Sequence, residues 1–116
     1  KIFKKYCLHF SRLEQIRCIP MPSNLDYNYS YFPIFFNKGF QAREKMFRIL
    51  LENDIVCRRY WYPLISSQPV YKNEKNFSLD NALALSESVI CLPIYPDLTE
   101  SETDKIIKII IENQIS

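Results

Sequence analysis

Apolar residues near the start of the chain recur every three to four positions. Phe3, Tyr6, Phe10 and Leu13 share one helical face, and Lys4, Lys5 and Arg12 fall off it. This predicts an amphipathic helix over residues 1–14. Pro20 and Pro22 then mark a loop. Residues 29–37 are apolar on both alternating faces. Tyr29, Tyr31 and Phe35 fall on one, and Phe32, Ile34 and Phe36 on the other. Such a pattern predicts a strand that wants cover on both sides. Pro33 has no N–H for a ladder, so the strand is expected at a sheet edge or a bulge.

The next stripe, Met46, Phe47, Leu50 and Leu51, predicts a helix over residues 41–52 with Asn53 as a left-handed cap. Residues 55–58 read as a short strand. Residues 59–77 form a long aromatic stretch punctuated by proline, and unstructured connections of that length are usually functional. Ser78 is expected to cap a helix over residues 79–87 that turns Leu79, Ala82, Leu83 and Ser86 inward. Residues 88–92 predict a strand stopped by Pro93. Thr99 and Glu102 have the spacing of a capping box, ahead of a stripe of Ile106, Ile107, Ile110 and Ile111.

The expected order is α-β-α-β-α-β-α, and 116 residues hold one domain. The fold class that follows is α/β (α+β), a two-layer sandwich with helices on one face of a small sheet. Its second sheet face is left over, and large exposed apolar patches mark partner surfaces.

Composition changes this picture only by exclusion. The net charge of +2 is too small for a nucleic-acid or anionic-membrane role. No apolar run reaches the roughly 20 residues needed to cross a bilayer. No signal peptide is visible, and a cytoplasmic location is expected. The chain opens on Lys1 rather than Met, so a trimmed or partial product is expected. Cys7, Cys18, Cys57 and Cys91 show no C-x-x-C or zinc spacing and are expected as free thiols, with no metal. His9 is read as a surface or half-buried histidine without a switching role. Gly39 is the one glycine, which excludes a glycine-rich phosphate loop.

Several segments, in order and over nearly the whole chain, resemble the C-terminal part of the DegT/DnrJ/StrS family of sugar-nucleotide aminotransferases. NYSYFPI at 28–34 is similar to the family's first small-domain strand, and 43–55 to its helix-to-strand passage. RRYWYPLIS at 58–66 is similar to the aromatic loop of the branch that aminates nucleotide-linked keto-deoxyhexoses. LPIYPDLTE at 92–100, before an Ile-rich helix, is similar to the family's ending. Ile65 stands where many members have His, and Asn53 and Asp54 stand where Gly is common.

The resemblance implies the small domain of a fold-type-I enzyme dependent on pyridoxal 5'-phosphate, with a mostly antiparallel sheet. It implies transfer of an amino group, from a donor such as glutamate, to a nucleotide-linked keto-sugar in a parent expected to be a homodimer. The lysine, aspartate and phosphate loop that hold the cofactor would lie in a large domain upstream of this sequence. This segment alone is therefore expected to bind no cofactor and to be inactive.

Two readings stand for Tyr60 and Tyr62. They line the active-site cleft of the intact enzyme, or they are core aromatics beneath a loop. Arg58 and Arg59 either pair with the nucleotide's diphosphate or form a solvated surface pair. Tyr60, Tyr62 and Arg59 are the candidate substrate-binding residues. Trp61 is either an anchor against the large domain or core. The alternative for the whole chain is a free-standing α/β interaction module without catalytic activity.

Overall fold

The computed structural model describes residues 1–71 and 79–114. Helix α1 (Ile2–Phe10) is followed by strand β1 (Ile16–Cys18), strand β2 (Phe32–Phe36) and helix α2 (Phe40–Glu52). Then come helix α3 (Asp80–Ser88), strand β3 (Val89–Leu92) and helix α4 (Glu100–Asn113). The three strands form one antiparallel sheet in the order β1-β2-β3.

Phe32, Ile34 and Phe36 of β2 point into the main core with Ile90 and Leu92 of β3. Phe3, Tyr6 and Phe10 of α1, Met46 and Leu50 of α2, and Ile106, Ile107 and Ile110 of α4 close that core. Tyr6 is wholly buried, and its hydroxyl donates to Pro93 O at 2.8 Å, so its polar tip is satisfied. Phe35, Val89 and Cys91 face the other way and form a smaller cluster with Tyr60. The expected α+β arrangement of a small antiparallel sheet with helices is present, but α3 stands over the second sheet face, so the helices are not confined to one face.

The structure corrects several boundaries. The first helix stops at Phe10, four residues early, and Ile16–Cys18 pairs as a strand that the sequence pattern did not announce. Three residues are too few for alternation to show. The element order is therefore α-β-β-α-α-β-α. Tyr29 lies outside the strand, with φ +56, and its ring meets Phe3 edge-on at 5.2 Å. Pro33 sits in the central strand, not at an edge. It is tolerated because β1 pairs only with Ile34, Phe35 and Phe36, so Pro33 stands past the end of that ladder.

Residues 55–58 make only a single bridge, Arg58 to Cys91, although Ile55 and Cys57 are buried as a strand would bury them. The left-handed residue after α2 is Asp54 (φ +62), not Asn53. Asn53 instead caps through its side chain, with Nδ2 donating to Ile49 O at 2.8 Å. Leu51 is exposed, and the buried stripe of α2 is Ala42, Arg43, Met46 and Leu50. Leu79, at the N-cap of α3, and Leu83 are exposed and Ser86 is buried, so only part of the expected inward face holds. Ile111 also lies partly outside. The expected Ser78 cap falls outside the described residues.

The Thr99 capping box is present. Glu102 N donates to Thr99 Oγ1 at 3.1 Å, and Thr99 N donates to Glu102 Oε2 at 2.9 Å. These backbone and hydroxyl bonds hold the Glu102 carboxyl below its usual range. Thr99→Ala is expected to cost about 1 kcal/mol in urea denaturation at neutral pH. Because the folded Glu102 pKa is the depressed one, the part of the box that depends on its carboxylate is present above the unfolded carboxyl pKa. It fades as pH falls through the folded value, so the gap between the two proteins should narrow in acid.

Candidate functional site

The second sheet face is the floor of an apolar cavity of about 460 Å³. Phe35, Val89 and Cys91 form the floor. Tyr60, Trp61 and Leu64 make one wall, and Ala82, Leu85 and Ser86 of α3 make the other. Tyr27 and Tyr31 stand at one end. The Tyr27 hydroxyl donates to Tyr31 O at 2.7 Å and accepts from Tyr31 N at 3.2 Å, closing a short loop that presents Tyr31. Its ring meets Tyr60 edge-on at 5.8 Å, and Tyr60 stacks on Trp61 at 4.8 Å. Aromatic walls around a cavity of this size suit a planar ring or the apolar face of a sugar.

Behind that wall lies a charged cluster. Arg59 Nη1 donates to Glu44 Oε1 at 2.9 Å and Oε2 at 3.1 Å, and its guanidinium lies 4.5 Å from the Phe47 ring centroid. Arg43 is wholly buried, with its guanidinium 4.4 Å from the Tyr62 ring centroid and 5.3 Å from that of Phe40. Burial pushes the Arg43 pKa down and the Glu44 charge opposes it. An arginine keeps its proton through such shifts.

Of the three candidate residues, only Tyr60 reaches the cavity. Tyr62 is half-buried over α2, between Arg43 and Arg59. Arg59 is paired with Glu44 and keeps 36% of its side-chain surface exposed. Arg58 is exposed and bridges Cys91 through its backbone. Trp61, 73% exposed, forms the cavity rim rather than core. Sequence reading passed over Arg43, Tyr27 and Tyr31. The signal for Arg43 was available: it is a charge three residues before Met46 and seven before Leu50, on the apolar face of α2.

All four cysteines are free, and burial pushes Cys57 up to about 12 and Cys18 up to about 11. Neither is an activated nucleophile. Among the described residues no group of His, Cys, Asp and Glu is placed to hold a metal ion, and no helix is long and apolar enough to cross a membrane.

Residues 1–111 match the DegT/DnrJ/EryC1/StrS aminotransferase family. The chain belongs to that family. It is 41% identical over 100 residues to the dTDP-4-amino-4,6-dideoxy-D-glucose transaminase of Escherichia coli, covering 83% of this chain and 27% of that protein. Its fold matches DesV of S. venezuelae, solved in complex with a ketimine intermediate. The TM-score is 0.86 at 18% identity, covering 99% of this chain and 31% of DesV. It also matches the PLP-form of the sugar aminotransferase Spr1654 from Streptococcus pneumoniae. There the TM-score is 0.80 at 21% identity, covering 99% of this chain and 31% of that one. The chain thus spans between a quarter and a third of the length of these relatives.

The pyridoxal phosphate of such enzymes needs a lysine of lowered pKa, an acid at the ring nitrogen and a cradle for its phosphate. Among the described residues, the cavity lining carries no lysine, aspartate or glutamate. Lys5 is the only half-buried lysine among the described residues, and its bonds to Asp104 and Glu100 raise its pKa. Gly39, the sole glycine, is spent at the N-cap of α2, where its φ is +73. The described residues of this chain do not fit the cofactor.

Proposed function

We propose that residues 1–116 are the small domain of a sugar aminotransferase, completed by a cofactor-binding domain in the intact enzyme. The substrate is a dTDP-linked 4-keto-6-deoxyhexose, the amino donor is glutamate, and the intact enzyme is a cytoplasmic homodimer dependent on pyridoxal 5'-phosphate. The match to the Escherichia coli transaminase carries this reading, because 41% identity over 100 residues includes the stretch that builds the cavity. The cofactor would be held by the other domain. This domain's part is to present the aromatic wall, exclude water and orient the sugar nucleotide.

Within that reading Tyr60 contacts the sugar or base directly, with Trp61 stacked behind it. The exposed part of Arg59 is available to a diphosphate oxygen, and Tyr62 holds the loop to α2. The alternative, a free-standing interaction module, has no observation that favours it over family membership.

The test is Tyr60→Ala in the intact enzyme. The specificity constant for the keto-sugar nucleotide is expected to fall by about 5–150-fold, the worth of roughly 1–3 kcal/mol from one ring contact and hydrogen bond. That for glutamate should stay unchanged. An equal fall for both substrates would mean a closure or folding defect and would sink the assignment.

A further inference from the structure

Arg43 is the one charged side chain among the described residues that is buried, with no exposure to solvent. Placing a guanidinium there has a desolvation cost that a leucine would avoid. Its partners show what it does. Nη1 donates to Ser86 O at 3.2 Å and to Val89 O at 3.4 Å. Helix α3 ends at Ser88, so the helical partner of the Ser86 carbonyl would be Ile90, which already belongs to β3. Arg43 therefore satisfies an orphan carbonyl at the negative end of α3.

The other side of the guanidinium meets the aromatic loop. Its plane lies near the Tyr62 ring, and Nε stands 2.9 Å from Glu44 Oε1, the same oxygen that accepts from Arg59. That approach has ion-pair distance without hydrogen-bond alignment, and Nη2 has no hydrogen-bond partner. Ring faces take the place of those bonds. One side chain thus ties α2 to both walls of the cavity: to α3 through Ser86, and to the Tyr60 wall through Tyr62, two residues along.

We infer that Arg43 is a positioning residue that fixes, from behind, how far apart the Tyr60 wall and the α3 wall stand. It touches no substrate. Its consequence for amino transfer rests on the cavity's assignment to the sugar nucleotide, but the positioning itself does not. Lysine would keep the charge and lose the planar fork, and methionine would keep the length and lose both.

The stacked Tyr60–Trp61 pair provides the readout, because Trp61 is the only tryptophan. Arg43→Lys and Arg43→Met in this chain should keep the far-ultraviolet circular dichroism of the helices. Both should lose most of the near-ultraviolet tryptophan band, and Trp61 anisotropy should fall. Met46→Ala removes a buried side chain from the same helix away from the loop. It should lower stability and leave the Trp61 band intact. Should the Arg43 variants fail to fold, Tyr62→Leu takes their place, because it keeps the bonds of Arg43 to α3 while removing the ring. An unchanged Trp61 band in a folded Arg43→Met or Tyr62→Leu chain overturns the inference, as does an equal loss in Met46→Ala. In the intact enzyme Arg43→Lys should raise KM for the sugar nucleotide about tenfold, the cost of a misplaced wall. If the band changes and neither Arg43→Lys nor Tyr60→Ala affects sugar kinetics, the positioning stands and the cavity's substrate assignment falls.

Discussion

Phe36→Lys is expected to leave the chain unfolded, whereas Phe35→Lys, one residue away, is expected to leave it folded. Phe36 pairs with Ile16 across the sheet and lies in the main core at 5% exposure. Removing such a ring costs about 3–5 kcal/mol. An unpaired ammonium in the same place adds several more, and domains of this size hold only about 5–15 kcal/mol in total. Phe35 is nearly as buried, but what covers it is the cavity and its rim. A lysine there can run its methylenes along the floor and carry its charge out of the mouth. The expected loss is about 1–3 kcal/mol, with the Arg17–Phe35 contact at 5.2 Å lost as well. Far-ultraviolet circular dichroism and urea titration separate the two outcomes. Equal behaviour of the two variants would mean that the faces of β2 are not partitioned as described.

The same pair reports on association. Trp61, Ile65 and Val70 are each more than 70% exposed near the cavity rim or in the turns that follow it. A few hundred Å² of such surface is worth several kcal/mol at about 25 cal/mol per Å², much of it offset by association entropy. Sedimentation of the wild-type chain should therefore shift with rising concentration, and that of Phe35→Lys should shift less. A wild-type chain that stays monomeric at millimolar concentration would show that this face needs no cover.

The parts of this fold that were legible in the sequence are those where one local signal agrees with one burial pattern. Thr99 and Glu102 with Ile106, Ile107 and Ile110 of α4 combine a cap with a stripe, and both are present, Ile111 alone lying partly outside. In β2 the division of Phe32, Ile34 and Phe36 from Phe35 follows from a period of two and survives in the structure, although Tyr29 and Tyr31 leave the strand. β1 was not legible because three residues carry no periodicity, and its pairing partner lies some twenty positions away. The face of α3 was legible only in part: Ser86 is buried as expected and Leu83 is exposed, and the end of the helix is met by Arg43, which reaches across from α2. A hydrophobicity pattern treats that arginine as solvent-facing.

The candidate site shows the same limit. Alternation would place Tyr60 and Tyr62 on one side of an extended chain, but residues 59–64 are irregular. The rings diverge, Tyr60 toward Tyr31 and Trp61, Tyr62 toward Phe40 and Arg43. Loop side chains are placed by what waits for them on neighbouring elements, and here that is a buried guanidinium from α2. The family resemblance was legible where turn chemistry and hydrophobic order coincide, as in LPIYPDLTE at 92–100.

Pyridoxal phosphate added to this chain is expected to label no lysine specifically and to support no transamination. Capture of the cofactor's aldehyde requires a neutral amine at working pH, which in a protein means a lysine whose pKa has been lowered by burial or by a neighbouring cation. Lys5, the one described lysine with partial cover, has the opposite environment: Asp104 and Glu100 favour its charged form and raise its pKa. The other described lysines are exposed and have no means of outcompeting one another. Borohydride reduction after cofactor addition, followed by peptide mass spectrometry, should give low labelling spread over several positions. Mixing the chain with the cofactor-binding domain of the enzyme should move all specific label to that other domain. One lysine of this chain reduced stoichiometrically, with turnover of glutamate and a keto-sugar nucleotide, would overturn the division of labour proposed for the two domains. It would also place the missing amine within this fold.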